Sequence, residues 1–572
     1  MNRSRLQRLI FTTALGLFAA GAMGDGLNAM AQDDSPAGKF APAGTVFYPN
    51  NLVISRSVYD NKASNVTVGE ILPPNCMLTL GSCGVSTGAP YNGLYPYVFN
   101  NDLYDGSFGI TSRIFLDQLT VTGTPINTLA VPVVDGPHPA TTDHLATSFS
   151  SKSELALNLS TDRQFLTFMG YVAPVDELDV SNSNTPLVID PTNPDGQTPT
   201  YRAVAKVGAD GKFTFTETNA YSGNNGRAAV LNNSNGEDVF YTSGNAGNGA
   251  NPQPDGVILG AGAQLIPDDS SPEISQTPGL PMPVGSFNIT QLGKKADKIG
   301  KDDNFRGMTI FNNVLYYTKG SGGNGVNTVY FVDTTGTACP KGVGLPVAGA
   351  TLPTMPLAYN PATLQTSGLP SNMCILAGFP TALAKSANLL AYPFGLFFAN
   401  ANTLYVADEG DGYTGGTDLY THAAAQTTAG LQKWVFNATT QTWNMVYVLQ
   451  SNLGLGTPYS VAGYVTGNNP ATGLPWAPAT DGLRNITGIT AEGRAAIWGV
   501  TSTVSGNGDL GADPNKVLFV TDVIANTDPT VGAHEQFRDF KDAKAEEVLR
   551  GVSFTPGTGG TASLEKMPRS GR

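Results

Sequence analysis

Charge is scarce in this chain. Asp, Glu, Lys and Arg make up 13% of its 572 residues, against about 25% in an average globular protein. Helical surfaces are built from Glu, Lys, Arg, Ala and Leu, so this composition argues against a mainly helical body. The charge that is present is acidic, net −13, which excludes binding of nucleic acid or an anionic membrane through bulk charge. Histidine is rare, at His138, His144, His422 and His534. No G-x-S-x-G elbow, H-E-x-x-H helix or C-x-x-C-H haem site occurs, so three common catalytic or cofactor motifs are excluded. Beyond the N-terminus no apolar run reaches the roughly 20 residues that a membrane-spanning helix needs.

The N-terminus is the exception. Arg3, Arg5 and Arg8 precede an uncharged apolar run from Leu9 to Gly24, and Ala29-Met30-Ala31 follows. A basic start, a short apolar stretch and an A-x-A site are the layout of a secretory signal, cleaved here after Ala31. The run is short and weakly apolar for an anchor. Residues 1–31 carry three Arg and one Asp, so removing that +2 from −13 leaves −15. The expected localisation is export, to periplasm or medium. Four cysteines fit an oxidising compartment, and proximity favours Cys76–Cys83 and Cys339–Cys374 among three connectivities. A metal site is the alternative, without CxxC spacing or a nearby His to support it.

What the chain has in abundance is Gly (67) and Pro (39), the vocabulary of tight turns. Strand-like runs recur between them. Phe305–Phe311, Asn312-Asn313, Val314–Tyr317 and Thr328–Val332 read strand, turn, strand, loop, strand. Pro393–Phe398 with Thr403–Asp408 repeats the plan, as do Thr487–Thr490 with Ala496–Val500, Arg227–Leu231 with Val239–Thr242, and Leu155–Leu159 with Phe165–Tyr171. Copies some 80 to 90 residues apart (Arg227 to Arg306, Gly307 to Gly395, Gly395 to Gly488) suit four-stranded blades with long loops. The last copy, Leu549–Phe554, lacks a second strand, while Asn51–Tyr59 and Arg113–Val121 lack an inner one. Each end can complete the other and leave no open edge. The predicted fold is therefore all-β, a six-bladed β-propeller closed by N- and C-terminal strands sharing one blade. It becomes seven-bladed if 350–390 hides a further unit. The predicted division is signal 1–31, linker 32–44, propeller 45–555 and a disordered tail 556–572. The segment Glu535–Leu549 reads as helix-prone.

Pro393-Phe394-Gly395-Leu396 with Asn402-Thr403-Leu404-Tyr405-Val406-Ala407-Asp408 resembles the NHL-type propeller repeat. The resemblance covers less than a fifth of the chain. It implies a propeller and leaves activity open, because such propellers include lactonases, lyases and binding scaffolds.

Candidate chemistry gathers on the face where the loops enter the innermost strands. Arg227, Arg306 and Arg550 stand just before three innermost strands, and Arg484 lies three residues ahead of Thr487. Clustered guanidinium groups call for an anionic partner. That is either internal, through Asp302, Asp303 or Glu547, or a carboxylate or phosphate ligand. An arginine trio on a six-bladed propeller resembles the sialidases in geometry alone, since their repeated Asp-box is missing. His144 precedes a strand at Leu145 and could join the arginines. Tyr91, Tyr95, Tyr97, Phe99 and Tyr104 lie in the insertion between Asp60 and Ile110, where aromatics either stack on sugars or pack on one another. Asp408, Glu409 and Asp411 form an acidic Gly-rich turn that could hold calcium, without EF-hand spacing. Two loops share Y-T-x-G-x-x-G-N-G, from Tyr241 and from Tyr317; strands rather than helices follow them, so they are structural and not phosphate cradles. Three functions stay open: a secreted binding or scaffold propeller for an anionic or carbohydrate ligand, a lactonase- or glycosidase-like hydrolase or lyase with or without calcium, and an envelope interaction protein.

Overall fold

The computed structural model describes residues 46–61, 68–69, 91–103, 108–133, 144–149, 155–178, 180, 202–218, 221, 225–234, 236, 238–244, 263–268, 304–320, 325–354, 373–384 and 391–559. The expected signal, Cys76, Cys83, Tyr104 and 560–572 lie outside them. Six antiparallel sheets stand around an axis as the blades of a propeller. Their innermost strands are Glu547–Phe554, Asn158–Leu159, Gly226–Asn232, Phe305–Phe311, Pro393–Asn400 and Ala479–Ala491, for blades one to six. Neighbouring innermost strands touch in that order, and the sixth meets the first.

Closure follows the expected scheme. The C-terminal strand Glu547–Phe554 pairs antiparallel with the N-terminal strand Leu52–Val58, which continues to Thr111–Leu119 and Pro125–Ala130. The propeller has six blades. The stretch suspected of hiding a seventh supplies instead Met373–Leu376, an outer strand of blade four paired with Thr328–Val332. The Cys339–Cys374 disulfide pins that strand, with 5.7 Å between the Cα atoms. The helix-prone segment after Glu535 is a correction. Arg538–Asp542 is the outer strand of blade six, paired with Lys516–Val523, because edge pairing outweighs the modest helix propensity of Lys, Asp and Ala. Pro556–Gly559 is also held, through the Gly557 amide on the Arg163 carbonyl at 2.7 Å.

The blades meet at one tier of small residues. A Cβ on Gly307 would lie 2.3 Å from the Phe394 carbonyl, one on Gly395 2.6 Å from that of Arg484, and one on Gly551 2.2 Å from that of Leu155. Ala156 and Ala228 bridge in parallel. Asn485 takes the glycine's place in blade six, and its Oδ1 accepts from the Val552 amide at 2.7 Å. Hydroxyls on second strands tie the same level across blades. Ser243 donates to the Arg306 carbonyl at 2.8 Å, Thr318 to that of Phe394 at 2.7 Å, and Ser55 to that of Leu155 at 2.8 Å. These contacts put the innermost strands in common register. One tier holds Arg550, Leu155, Arg227, Arg306, Phe394 and Arg484. The next holds Gly551, Ala156, Ala228, Gly307, Gly395 and Asn485. Arg484 is therefore level with Arg306, and Asn485, rather than Gly488, corresponds to Gly395.

Gly551→Val puts a branched side chain into the Leu155 carbonyl and is expected to cost about 3 kcal/mol, the upper end for overpacking. Gly559, with no atom within 4 Å of an added Cβ, should accept Ala at almost no cost. Urea denaturation of both variants checks this.

Candidate functional site

The arginines lie within the innermost strands rather than before them, on the side where the long loops enter. Arg227 and Arg306 are second in their strands, while Arg550 and Arg484 sit deeper. All four are buried. Two of them converge on one carboxylate. An Arg306 terminal amino group lies 3.0 Å from Glu409 Oε1, and Arg484 Nε donates to Glu409 Oε2 at 3.1 Å. Burial draws the Arg306 guanidinium below its ordinary value; Glu409 opposes this, and Arg484 adds to it. For Arg306 and Arg484 the internal partner among the described residues is Glu409, a member of the acidic turn; Asp302 and Asp303 lie outside the described residues. Glu547, the partner suspected there, pairs with Arg56 at 2.9 Å. Arg550 donates to Ser57 Oγ at 3.3 Å and to the Phe149 carbonyl. Arg484 makes one hydrogen bond among the described residues, the Nε contact with Glu409.

Asp408, Glu409 and Asp411 face different partners. Asp408 is fully buried and accepts from the amides of Tyr392 and Gly410 and from Gln432 Nε2. Asp411 pairs with His422 at 2.7 Å, whose ring stacks on Tyr413 at 4.0 Å. Three carboxyls spent in three directions do not make a shared calcium cage. Among the described residues the one close group of potential metal ligands is Asp333 with Cys339 and Cys374, and those sulfurs are already joined as a disulfide.

Sequence reasoning missed Asp481, which accepts from the Gly412 amide at 2.7 Å and from Gln426. Burial, and then the nearby charge of Asp411, lift its carboxyl to about 7 against the backbone hydrogen bond. Burial likewise lifts Asp408 to about 6 and Asp513 to about 7. No motif marks Asp481 or Asp513, and although Asp408 closes the NHL-like stretch, nothing in the sequence shows the burial that shifts it.

His144 is buried at the junction of blades one and two. The strand it precedes, Thr147–Ser148, pairs with Thr111–Leu119 of blade one, and Ala146 bridges to Tyr171 of blade two. Tyr95 donates to the Ala512 carbonyl at 2.8 Å and packs against Tyr59, Phe99, Phe149 and Tyr464. Tyr97 lies edge-on to Trp476 at 5.0 Å. These aromatics, with Tyr91 on Tyr59, pack against the protein itself.

Comparisons with known proteins add little to this geometry. No family model matches the chain, and no curated protein matches it. Among solved structures it is similar to a prolyl endopeptidase at 12% identity, covering 78% of this chain and 49% of that one, with a TM-score of 0.21. It spans about half that protein's length. It is also similar to the parainfluenza virus 5 hemagglutinin-neuraminidase with the ligand DANA (10%, 74% and 94% covered, TM-score 0.24). A third likeness is to a GH43 protein, BlXynB, of Bacillus licheniformis (10%, 79% and 93% covered, TM-score 0.24). Likenesses this slight carry no argument about activity.

Two outcomes test the site's energetics. Glu409→Gln strips the shared carboxylate from two buried guanidinium groups and is expected to cost about 3–5 kcal/mol, read from urea midpoints. The buried acids also set a pH dependence. Their folded values lie above the roughly 3.9 of an unfolded Asp. Below pH ~4 both states hold the protons and nothing is lost. As pH rises from there towards 6–7, the unfolded chain releases protons that the fold retains, and stability falls. Asp481→Asn is expected to make that fall shallower between about pH 4 and pH 7; an unchanged slope contradicts the assignment.

Proposed function

We propose that this chain is an exported β-propeller that binds a small anionic ligand at the looped mouth of its axial channel. The observation that carries the reading is Arg484. Its Nε donates to Glu409 Oε2 at 3.1 Å, its one hydrogen bond among the described residues. An arginine held by one edge presents its other nitrogens as a planar fork, the geometry that suits carboxylate, sulfate or phosphate. Arg306, Arg227 and Arg550 on the same tier raise the positive potential of that mouth within a net-acidic protein. The NHL-like stretch in blade five accords with a binding propeller, and the Cys339–Cys374 disulfide accords with export.

A hydrolytic reading has less support. The carboxyls with raised pKa at this mouth, Asp408 and Asp481, are enclosed and engaged by backbone amides. They hold a loop in place rather than meet a substrate.

Thermal unfolding of the mature chain with sulfate, phosphate and small mono- and dicarboxylates tests the proposal. Ligand at a hundred times Kd adds about 2.7 kcal/mol. The expected result is a raised midpoint with at least one anion, lost in Arg484→Gln. A shift that survives in Arg484→Gln, or no shift with any anion, contradicts it.

A further inference from the structure

The other end of the channel has a different chemistry. Two residues past the small-residue tier, the common register brings Ser553, Asn158, Val230, Thr309, Phe397 and Thr487 to one level, one from each blade. All six line a single cavity of about 510 Å³, within the range of small-molecule sites. It opens on the face of the tight turns, since Ser160, Thr161, Ser234, Asn312 and Asn313 also border it. Strands rise about 3.3 Å per residue, so this collar lies roughly 10 Å along the axis from the arginine tier.

The collar is polar but uncharged. Thr309, Thr487 and Ser553 supply hydroxyls, and Asn158, whose Nδ2 donates to the Ala229 carbonyl at 3.0 Å, supplies an amide acceptor. Phe397 is half-buried and offers an aromatic surface. Among the described residues no Asp, Glu or Lys borders the cavity, and the one ionic side chain, Arg163, donates to the Gly559 carbonyl at 3.2 Å. Water alone needs no such composition, and a charged ligand would find no counter-charge in the collar. Hydroxyls and amides around the circumference, with an aromatic side chain and aliphatic Val230, match a ring that carries hydroxyls on its edges and C–H groups on its faces.

We infer that the turn-face cavity is a binding site for a neutral polyhydroxylated ligand, a sugar of one or two rings. The site is separate from the looped mouth and does not depend on the anion reading. Its reach is set by the six innermost strands, so it needs no loop to close over it.

The test is titration calorimetry of the mature chain with glucose, xylose, maltose and glucuronate. The expected result is saturable binding of at least one neutral sugar, with glucuronate weaker. Thr309→Phe and Thr487→Phe, at half-buried positions, fill the cavity and should weaken binding at least about tenfold. If either fails to fold, Thr487→Val keeps the shape, removes one hydroxyl and should still weaken binding. Lys212→Ala, at an exposed side chain that does not border the cavity, should leave sugar binding unchanged. The inference is overturned if no neutral sugar binds, if glucuronate is preferred, or if the cavity-filling variants bind like wild type.

Discussion

The close approach of six innermost strands is the constraint on which the rest depends. Where Gly307, Gly395 and Gly551 abut the carbonyls of the next blade, even a methyl group does not fit. Propeller blades meet face to face, and the narrowest point of each wedge is at the axis. Small residues there, with Ser55, Ser243 and Thr318 tying one blade's second strand to the next blade's carbonyl, satisfy polar backbone that burial would otherwise leave unpaired. The same contacts fix the vertical register of all six strands. Once that register is set, every tier along the axis acquires a defined membership.

That register separates two chemistries within one channel. The tier before the small residues holds Arg227, Arg306, Arg484 and Arg550, and the tier two residues after them is neutral. Glu409 belongs to the first because the loop that follows Thr403–Asp408 folds back across the mouth, anchored by Asp408 and Asp481. The buried acids therefore act through position: they seat the loop that delivers a carboxylate between two guanidinium groups. Away from the axis, blades five and six are joined by a fully buried Lys433–Asp522 pair at 2.8 Å, which Tyr405 and Tyr447 complete with hydrogen bonds. Every charge in that network has partners, as burial of ions demands.

Much of the fold was legible because it is written locally. Period-two strands, turn residues such as Asn312-Asn313 and Glu492-Gly493 with positive φ, and copies some 80 to 90 residues apart all survive without tertiary information. So did the sharing of one blade by the two termini, since an unpaired inner strand at one end and a missing one at the other is a sequence-level mismatch. Arg538–Asp542 was misread because an edge strand rich in Lys and Asp looks helical until its partner is known. The site was less legible. The arginines stood out by their repeated place near the start of innermost strands, but Glu409 was grouped with its sequence neighbours Asp408 and Asp411, whereas its partners are about a hundred residues to one side and seventy-five to the other. The collar was invisible for a related reason. Ser553, Asn158, Thr309 and Thr487 share no motif and become one site only when the register aligns them.

Native-state hydrogen exchange tests the central claim most directly. If the small-residue tier locks all six blades into one cooperative unit, the amides of Val552, Ala228, Gly307 and Gly395 should exchange only through global unfolding, with one common free energy matching the denaturant value. A blade whose inner-strand amides exchange at a distinctly lower free energy than the others would contradict that account.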